Sequence, residues 1–332
     1  MFICGRLILI KPVRLIKICC ATVVVSIIVF YAIFWEPYCF FAKPLYSSSI
    51  SSLALAKIYT YGPPRSSSHS KNLIIILVPK ISSKLTQRLQ LIDRNFADNF
   101  STNLLILYSN VPYESDLLHL TDAIKRPVSF LNVGIFFNLF PIRFDPCKTK
   151  TPYRYRGKWN YSLMIRFWFK FLFELPELEK FEYVMRLDDD SKLTDKWMNV
   201  FDEMRNKNAV YFANNIDLDL EEQLPGTMFL KQVTFDYIKQ NNIKPKQFEI
   251  LRDAFGNNSI HTYFNNFEVL KMEFFRRKEI RHWVESIDST NGIFYYRWGD
   301  AGLRYLTLAL FAEQHEVLHR ADYNLSYCHK CR

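Results

Sequence analysis

Two apolar runs constrain this chain more than any other feature. Leu73-Ile74-Ile75-Ile76-Leu77-Val78, closed by Pro79, and Leu104-Leu105-Ile106-Leu107-Tyr108 have strand length and carry no polar face, the pattern of strands covered on both sides. Between them, residues 82–100 place Leu85, Leu89, Leu91, Ile92, Phe96 and Phe100 at helical spacing. Strand, helix, strand is a βαβ unit, and its two strands lie parallel in one sheet. A further helix is predicted over 161–175, ending before Pro176. A third strand, Tyr183-Val184-Met185-Arg186-Leu187, runs directly into Asp188-Asp189-Asp190. The expectation is an α/β fold, a single Rossmann-type domain over 72–332 with a mostly parallel central sheet, and no internal repeat.

The N-terminal part obeys different rules. Residues 18–35, ICCATVVVSIIVFYAIFW, are uncharged and about long enough to cross a thin bilayer as a helix. Arg6, Lys11, Arg14 and Lys17 precede this run and Glu36 comes after it, so the positive-inside rule makes residues 1–17 cytosolic and exports the chain beyond residue 36. The run is long for a cleavable signal, and no small-x-small site lies at its end, which favours an uncleaved signal anchor. Residues 36–71, rich in Ser with a Pro63-Pro64 pair, read as a stem or linker. The predicted arrangement is a single-pass type II protein of the Golgi or ER membrane with a luminal domain. Sequons at Asn99, Asn160, Asn257 and Asn324 agree with that topology.

The net charge of +10 does not indicate nucleic acid, because the 43 Lys+Arg alternate with 33 Asp+Glu and form no dense arm. Seven cysteines in 332 residues leave the fold resting on a hydrophobic core. Cys328-His329-Lys330-Cys331 contains one CxxC; in an oxidising lumen a disulfide is favoured over zinc, and the pairing is not readable from spacing.

The junction at 188–190 carries chemistry. Ligands of open α/β sheets collect past the carboxyl ends of strands. Three carboxylates there repel one another until a cation relieves them, and oxygen-rich sites suit Mg²⁺ or Mn²⁺ bound with nucleotide phosphates. The alternative is an acidic N-cap for a helix starting near 193–195, which uses one Asp and leaves two unexplained. A strand ending in DxD inside an exported α/β domain reads as a nucleotide-sugar transferase site of the GT-A type.

Three blocks extend that reading. Gly292-Ile293-Phe294-Tyr295-Tyr296-Arg297-Trp298-Gly299-Asp300-Ala301 is similar to GGFFYERWGDAP; Asn265-Asn266-Phe267-Glu268-Val269 is similar to WSNFEI; Tyr161-Ser162-Leu163-Met164-Ile165-Arg166-Phe167 matches YRHMCRF at Tyr, Met, Arg and Phe. In order and spacing, over roughly 72–332, the chain resembles the fungal α-1,2-mannosyltransferases of glycosyltransferase family 15. The resemblance implies a GT-A-like fold, Mn²⁺ as cofactor, GDP-mannose as donor, a mannosylated glycan as acceptor, and transfer with retention.

It also implies roles by position. Asp188 takes the place of the family's metal-binding Glu in WRVEP, and Asp190 either shares the ion or does not. Glu268 falls on the candidate nucleophile, Asp300 on an acceptor-side carboxylate, and His329 on a C-terminal metal ligand. Departures are Asp-Asp for Glu-Pro, Tyr296 for the Glu before RWGD, Asn291 for a Gly, and Ser326-Tyr327-Cys328-His329 for a motif with two prolines.

The residues themselves leave alternatives open. Glu268 is a carboxylate desolvated by rings and oriented by Asn266, or a structural partner of an arginine. Asp300 orients or deprotonates an acceptor hydroxyl, caps the helix predicted over 301–311, or does both. Arg166 and Arg186 grip phosphate or pair with buried carboxylates. Tyr161 and Trp298 stack on base or sugar or belong to the core. Asn266 and Arg297 complete the donor-binding set. Against a mannosyltransferase stand a transferase using another nucleotide sugar and an inactive luminal binding protein.

Overall fold

The computed structural model describes residues 45–46, 59–61, 70–79, 81–110, 112–149, 158–220, 226–256 and 259–331. The predicted anchor over 18–35, the tail and most of the stem lie outside the described residues. Among the described residues no helix is long and apolar enough to cross a membrane. The chain divides into two compact units, Met1–Leu45 with Asp145–Thr149, and Tyr46–Phe144 with Lys150–Arg332. In the first, Asp145 Oδ1 accepts from the backbone N–H groups of Cys147 and Lys148 and organises a turn.

The second unit carries an eight-stranded sheet. Its strands are β1 (Tyr59–Tyr61), β2 (Asn72–Val78), β3 (Asn103–Tyr108), β4 (Val128–Asn132), β5 (Tyr183–Asp188), β7 (Tyr211–Ala213), β11 (Phe267–Lys271) and β12 (Val317–His319). They are arranged β12-β7-β11-β5-β2-β3-β4-β1, with β11 and β1 running against the rest. The parallel centre is the one predicted. Alternation along its strands divides the core. Ile74, Ile76, Ile106, Met185 and Leu187 face one way, against Leu85, Leu89 and Ile92 of helix α1 (Ser83–Asn95), Leu117 and Leu120 of α2 (Glu114–Asp122), and Phe201 and Met204 of α4 (Val200–Asn206).

The opposite side of β5 places Arg186 and Asp188 toward α3 (Lys158–Phe169) and α7 (Asp300–Phe311). Helix α7 is buried nearly all round. Beside it sits a small antiparallel sheet of β8 (Ile216–Leu220), β10 (Ser259–Tyr263) and β9 (Phe255–Gly256). Helices α5 (Thr227–Gln240) and α6 (Lys278–Ser289) complete the layer.

Three local expectations change. Helix 82–100 stops at Asn95, where Phe96 turns extended and the Asn95 amide donates to Leu193 O at 2.6 Å. Helix 161–175 is α3 followed by a 3₁₀ turn, Phe171–Glu174; the break at Lys170 lets its ammonium reach Glu285 and Asp288. No helix starts at 193–195. Ser191–Leu193 is strand β6, paired with the distant β13 (Tyr327–His329), and the next helix begins at Val200, capped by Asn199. Non-local pairing decided that segment, and local propensity carries no trace of it.

Candidate active site

The site forms where β5 ends. Asp188 N–H donates to Asn266 O at 2.9 Å, which locks the strand end to the start of β11. The chain turns through Asp189 and Asp190 into β6, and the antiparallel register of β6 with β13 sets His329 opposite Ser191. His329 Nε2 thereby lies 2.9 Å from Asp190 Oδ1, and Lys330 N–H donates to Asp190 O at 3.3 Å. One ligand atom from each of Asp188, Asp190 and His329 falls within 4.8 Å of the others. A disulfide between Cys328 and Cys331 brackets His329, and the edge of Phe264 meets its ring at 5.4 Å.

Burial first, then the charges of Asp300 and Asp190, push the Asp188 carboxyl up against the pull of Arg186. Burial and Asp190 likewise push Asp189 up. These groups are crowded with negative charge, and a divalent cation is the partner that relieves them. Two carboxylates and an imidazole at this spacing fit Mn²⁺.

Behind the acidic turn stands Arg186. Its NH2 group donates to Asp188 Oδ1 at 3.2 Å, its NH1 group to Asp300 Oδ2 at 2.6 Å and to Glu268 Oε1 at 3.4 Å, and its plane lies 4.2 Å from the Trp168 ring centre. Burial disfavours this cation, but Asp188, Asp300 and Glu268 outweigh it and hold the guanidinium charged. The register explains the cluster, since Glu268 on β11 pairs directly with Arg186 on β5. Asp300 is the first residue of α7 and not its cap; Gly299 holds that position and makes no side-chain cap bond. The Asp300 carboxylate is taken instead by Arg186 and by Asn265 Nδ2 at 2.9 Å.

The cleft over these groups has a volume of about 530 Å³. Asp188, Asp190, His329, Arg186, Asn266, Asp300, Arg297 and Tyr161 all line it. Arg297 adopts a left-handed backbone, φ 55°, and stacks its guanidinium 4.5 Å from the Tyr161 ring centre. A side chain held in that region stores strain and commonly marks a functional site. Burial and Asp300 push the Tyr161 phenol up against the pull of Arg297. Asn266 Oδ1 accepts from Asn214, while its Nδ2 is buried without a hydrogen-bond partner among the described residues.

Three expected site residues do not reach the cleft. Arg166 is fully buried and donates to both oxygens of Asp288 at 2.6 and 2.8 Å and to Leu139 O; of its two open readings the structure has the ion pair. Trp298 is 3% exposed, stacks on Tyr296 and donates Nε1–H to Gly226 O at 3.1 Å, so it belongs to the packing under α5. Glu268 is 0% exposed, enclosed by Arg186, by Arg304 Nε at 3.0 Å and by the Tyr211 hydroxyl at 3.0 Å. Of its two open readings, the structure shows the carboxylate held as a counter-ion between two arginines and outside the cleft lining.

Sequence reasoning passed over Asp217 and Asp219, which also line the cleft. Their signal was the strict alternation Ile216-Asp217-Leu218-Asp219-Leu220, which places both carboxylates on one face of a strand. It also missed Asn265 and Trp168, which brace Asp300 and Arg186. No local pattern marks those two, because their partners are far away in the chain.

Comparisons with known proteins identify the family and the fold. The profile of the family described as glycolipid 2-alpha-mannosyltransferase matches residues 63–332. The glycolipid 2-alpha-mannosyltransferase of Saccharomyces cerevisiae is 28% identical over 180 residues, 52% of this chain and 39% of that protein. This chain spans between 36% and 47% of the length of several such curated relatives. The fold is that of the mannosyltransferase Ktr4p from S. cerevisiae, solved with GDP: TM-score 0.68, 24% identity, 79% of this chain and 71% of that one. Core-mannan synthase A from Aspergillus fumigatus, solved in an Mn/GDP form, gives a TM-score of 0.64 at 19% identity over 80% of this chain and 76% of that one. With a family profile covering most of its length, the chain belongs to the glycolipid 2-alpha-mannosyltransferases, glycosyltransferase family 15.

Proposed function

We propose that residues 72–332 form a GT-A-like catalytic domain that transfers mannose from GDP-mannose to a mannosylated glycan, with retention and in α-1,2 linkage. The observation that carries this is the convergence of Asp188, Asp190 and His329 at the carboxyl end of β5, in a family with relatives solved holding GDP and Mn. Those three residues would hold Mn²⁺. When bound, the ion supplies charge neutralisation for the departing diphosphate.

This chain's own residues do the rest. The Asn266 amide, buried with a spare donor at the cleft wall, hydrogen-bonds a donor oxygen. Arg297, fixed over Tyr161, borders the donor and limits water access. Asp300 at mid-cleft accepts from the acceptor hydroxyl, and Arg186 and Asn265 hold it in that orientation. Glu268 positions Arg186 from beneath. With that carboxylate enclosed, retention is read as a front-face route, in which the acceptor hydroxyl approaches on the side of the leaving diphosphate.

The second reading, another nucleotide sugar on the same scaffold, draws mainly on Tyr296 and the Asp-Asp pair. Tyr296 packs against Phe229 and Trp298 outside the cleft lining, which removes half of its support. Residues 18–35 are read as the anchor of a type II Golgi or ER membrane protein and 36–71 as its stem.

The test is sugar release from a panel of nucleotide sugars with Mn²⁺ and with EDTA. GDP-mannose is expected to be turned over only with the metal. Metal-independent turnover, or preference for a UDP-sugar, overturns the reading.

A further inference from the structure

The cleft has two chemically different ends. At one, Asp188, Asp190 and His329 converge on a single point. At the other stand Asp217 and Asp219, which belong to no cluster of potential metal ligands among the described residues. Asp300, at the head of α7, lines the same cleft. Arg297 opposes Asp219, while burial and the charges of Asp217 and Asp300 weigh against ionisation there.

Strand register explains how the second end is built. Asp217 pairs with Thr262 and Asp219 with Ile260, and the faces of Thr262 and Ile260 lie against Gly302 of α7. Directly opposed residues of a sheet share a face. Asp217 and Asp219 therefore stand on the side of β8 that borders the head of α7, where Asp300 begins the helix. Ile216, Leu218 and Leu220 stand on the other side, more than 40% exposed. Two positions along a strand separate the two Cα atoms by about 7 Å.

The charges then sort the ligands. Lining the cleft are Asp188, Asp189, Asp190, Asp217, Asp219 and Asp300 against Arg186, Arg297 and Lys330. A diphosphate is tolerated only where a metal offsets this excess, which is the first end. The second end sets two carboxylates against the one guanidinium of Arg297, which leaves it net negative, and its carboxylate oxygens accept, the complement of adjacent hydroxyl groups.

We propose that Asp217 and Asp219 form the acceptor subsite and select a neutral saccharide terminus, gripping its hydroxyls, over a phosphorylated or otherwise anionic one. This rests on the transferase reading above and specifies which acceptors that site takes.

The experiment measures transfer from GDP-mannose with Mn²⁺ to methyl α-mannoside and to mannose 6-phosphate, for wild type, Asp219→Asn and the double variant Asp217→Asn with Asp219→Asn. GDP affinity with Mn²⁺ is measured in parallel by calorimetry. Wild type is expected to favour the neutral acceptor in kcat/KM by at least about tenfold, in line with one or two lost hydrogen bonds to charged groups. In the variants the KM for methyl α-mannoside should rise about tenfold or more, preference over the phosphorylated sugar should shrink, and the Kd for GDP should change less than about twofold. Equal use of both acceptors by wild type overturns the subsite without any variant. So does an unchanged acceptor KM in the double variant, or a loss of GDP affinity parallel to the loss of acceptor. No turnover by wild type with any donor overturns the transferase reading itself, a result distinct from the others.

Discussion

Two buried arginines of this protein sit in similar company and do opposite things. Arg166 on α3 meets Asp288 through two parallel hydrogen bonds, and Lys170 reaches the same carboxylate at 2.9 Å and Glu285 at 2.7 Å, so two cations meet two carboxylates and the charge is balanced. Arg186 on β5 meets three carboxylates, two of which line the cleft. The first cluster is closed and complete; the second is open on one side and carries surplus negative charge. Charge balance and access separate a structural ion pair from a binding site, since both clusters show the same residue types and comparable distances.

The largest difference should appear in stability. Asp288→Ala leaves Arg166 buried without its carboxylate and Lys170 with only the half-exposed Glu285, and is expected to destabilise the fold by about 3–5 kcal/mol in chemical or thermal unfolding. Stability near that of wild type would show that the closed cluster is not what holds α3 to α6.

Asp188→Ala should act on binding. Metal-linked GDP affinity is expected to fall by more than about a hundredfold, beyond what loss of an outer-shell partner does, with no drop in unfolding temperature in EDTA. An unchanged affinity by calorimetry would remove Asp188 from the metal site.

The smallest effect is a pH dependence of opposite sign in the two regions. Although burial works against ionisation, Arg166 and Lys170 hold the Asp288 carboxyl below its ordinary range. Its contribution is therefore present above the unfolded value near ~4 and is lost as pH falls through the lower folded one. Asp188 is pushed up, chiefly by burial, so it favours the folded state below the unfolded value and loses that contribution as pH rises through the raised folded one. Asp188→Asn in EDTA should thus be more stable than wild type at neutral pH, by on the order of 1 kcal/mol, with the advantage fading toward pH ~4. Unfolding temperatures across that range decide it; an advantage that grows on acidification contradicts the sign.

Legibility divides along the same line. The strands Leu73–Val78 and 104–108 were readable because both faces are apolar, and their parallel pairing came from the helix between them. Asp188 and Asp190 were readable because a strand that ends in acid has few structural uses. Arg166 and Trp298 were misplaced because a motif records which residues occur together and not which way each side chain turns: Arg166 turns to α6 and Trp298 to Gly226. The β6–β13 pairing had no local trace at all. It joins Ser191 to His329, and the metal-site placement of His329 depends on it.

The sequence by itself determined the first βαβ unit, the parallel centre of the sheet, the family and the strand that ends in the acidic turn at 188–190. All of these are written in local periodicity or in contiguous motifs. The tertiary structure alone decided which charges face the cleft and which are spent inside. Glu268 went beneath Arg186 because strand register put it there, and Asp217 and Asp219 came beside Asp300 because a separate sheet packs on α7. Those outcomes depend on contacts between residues far apart in the chain, and the burial and charge balance that such contacts create are properties of the packed molecule.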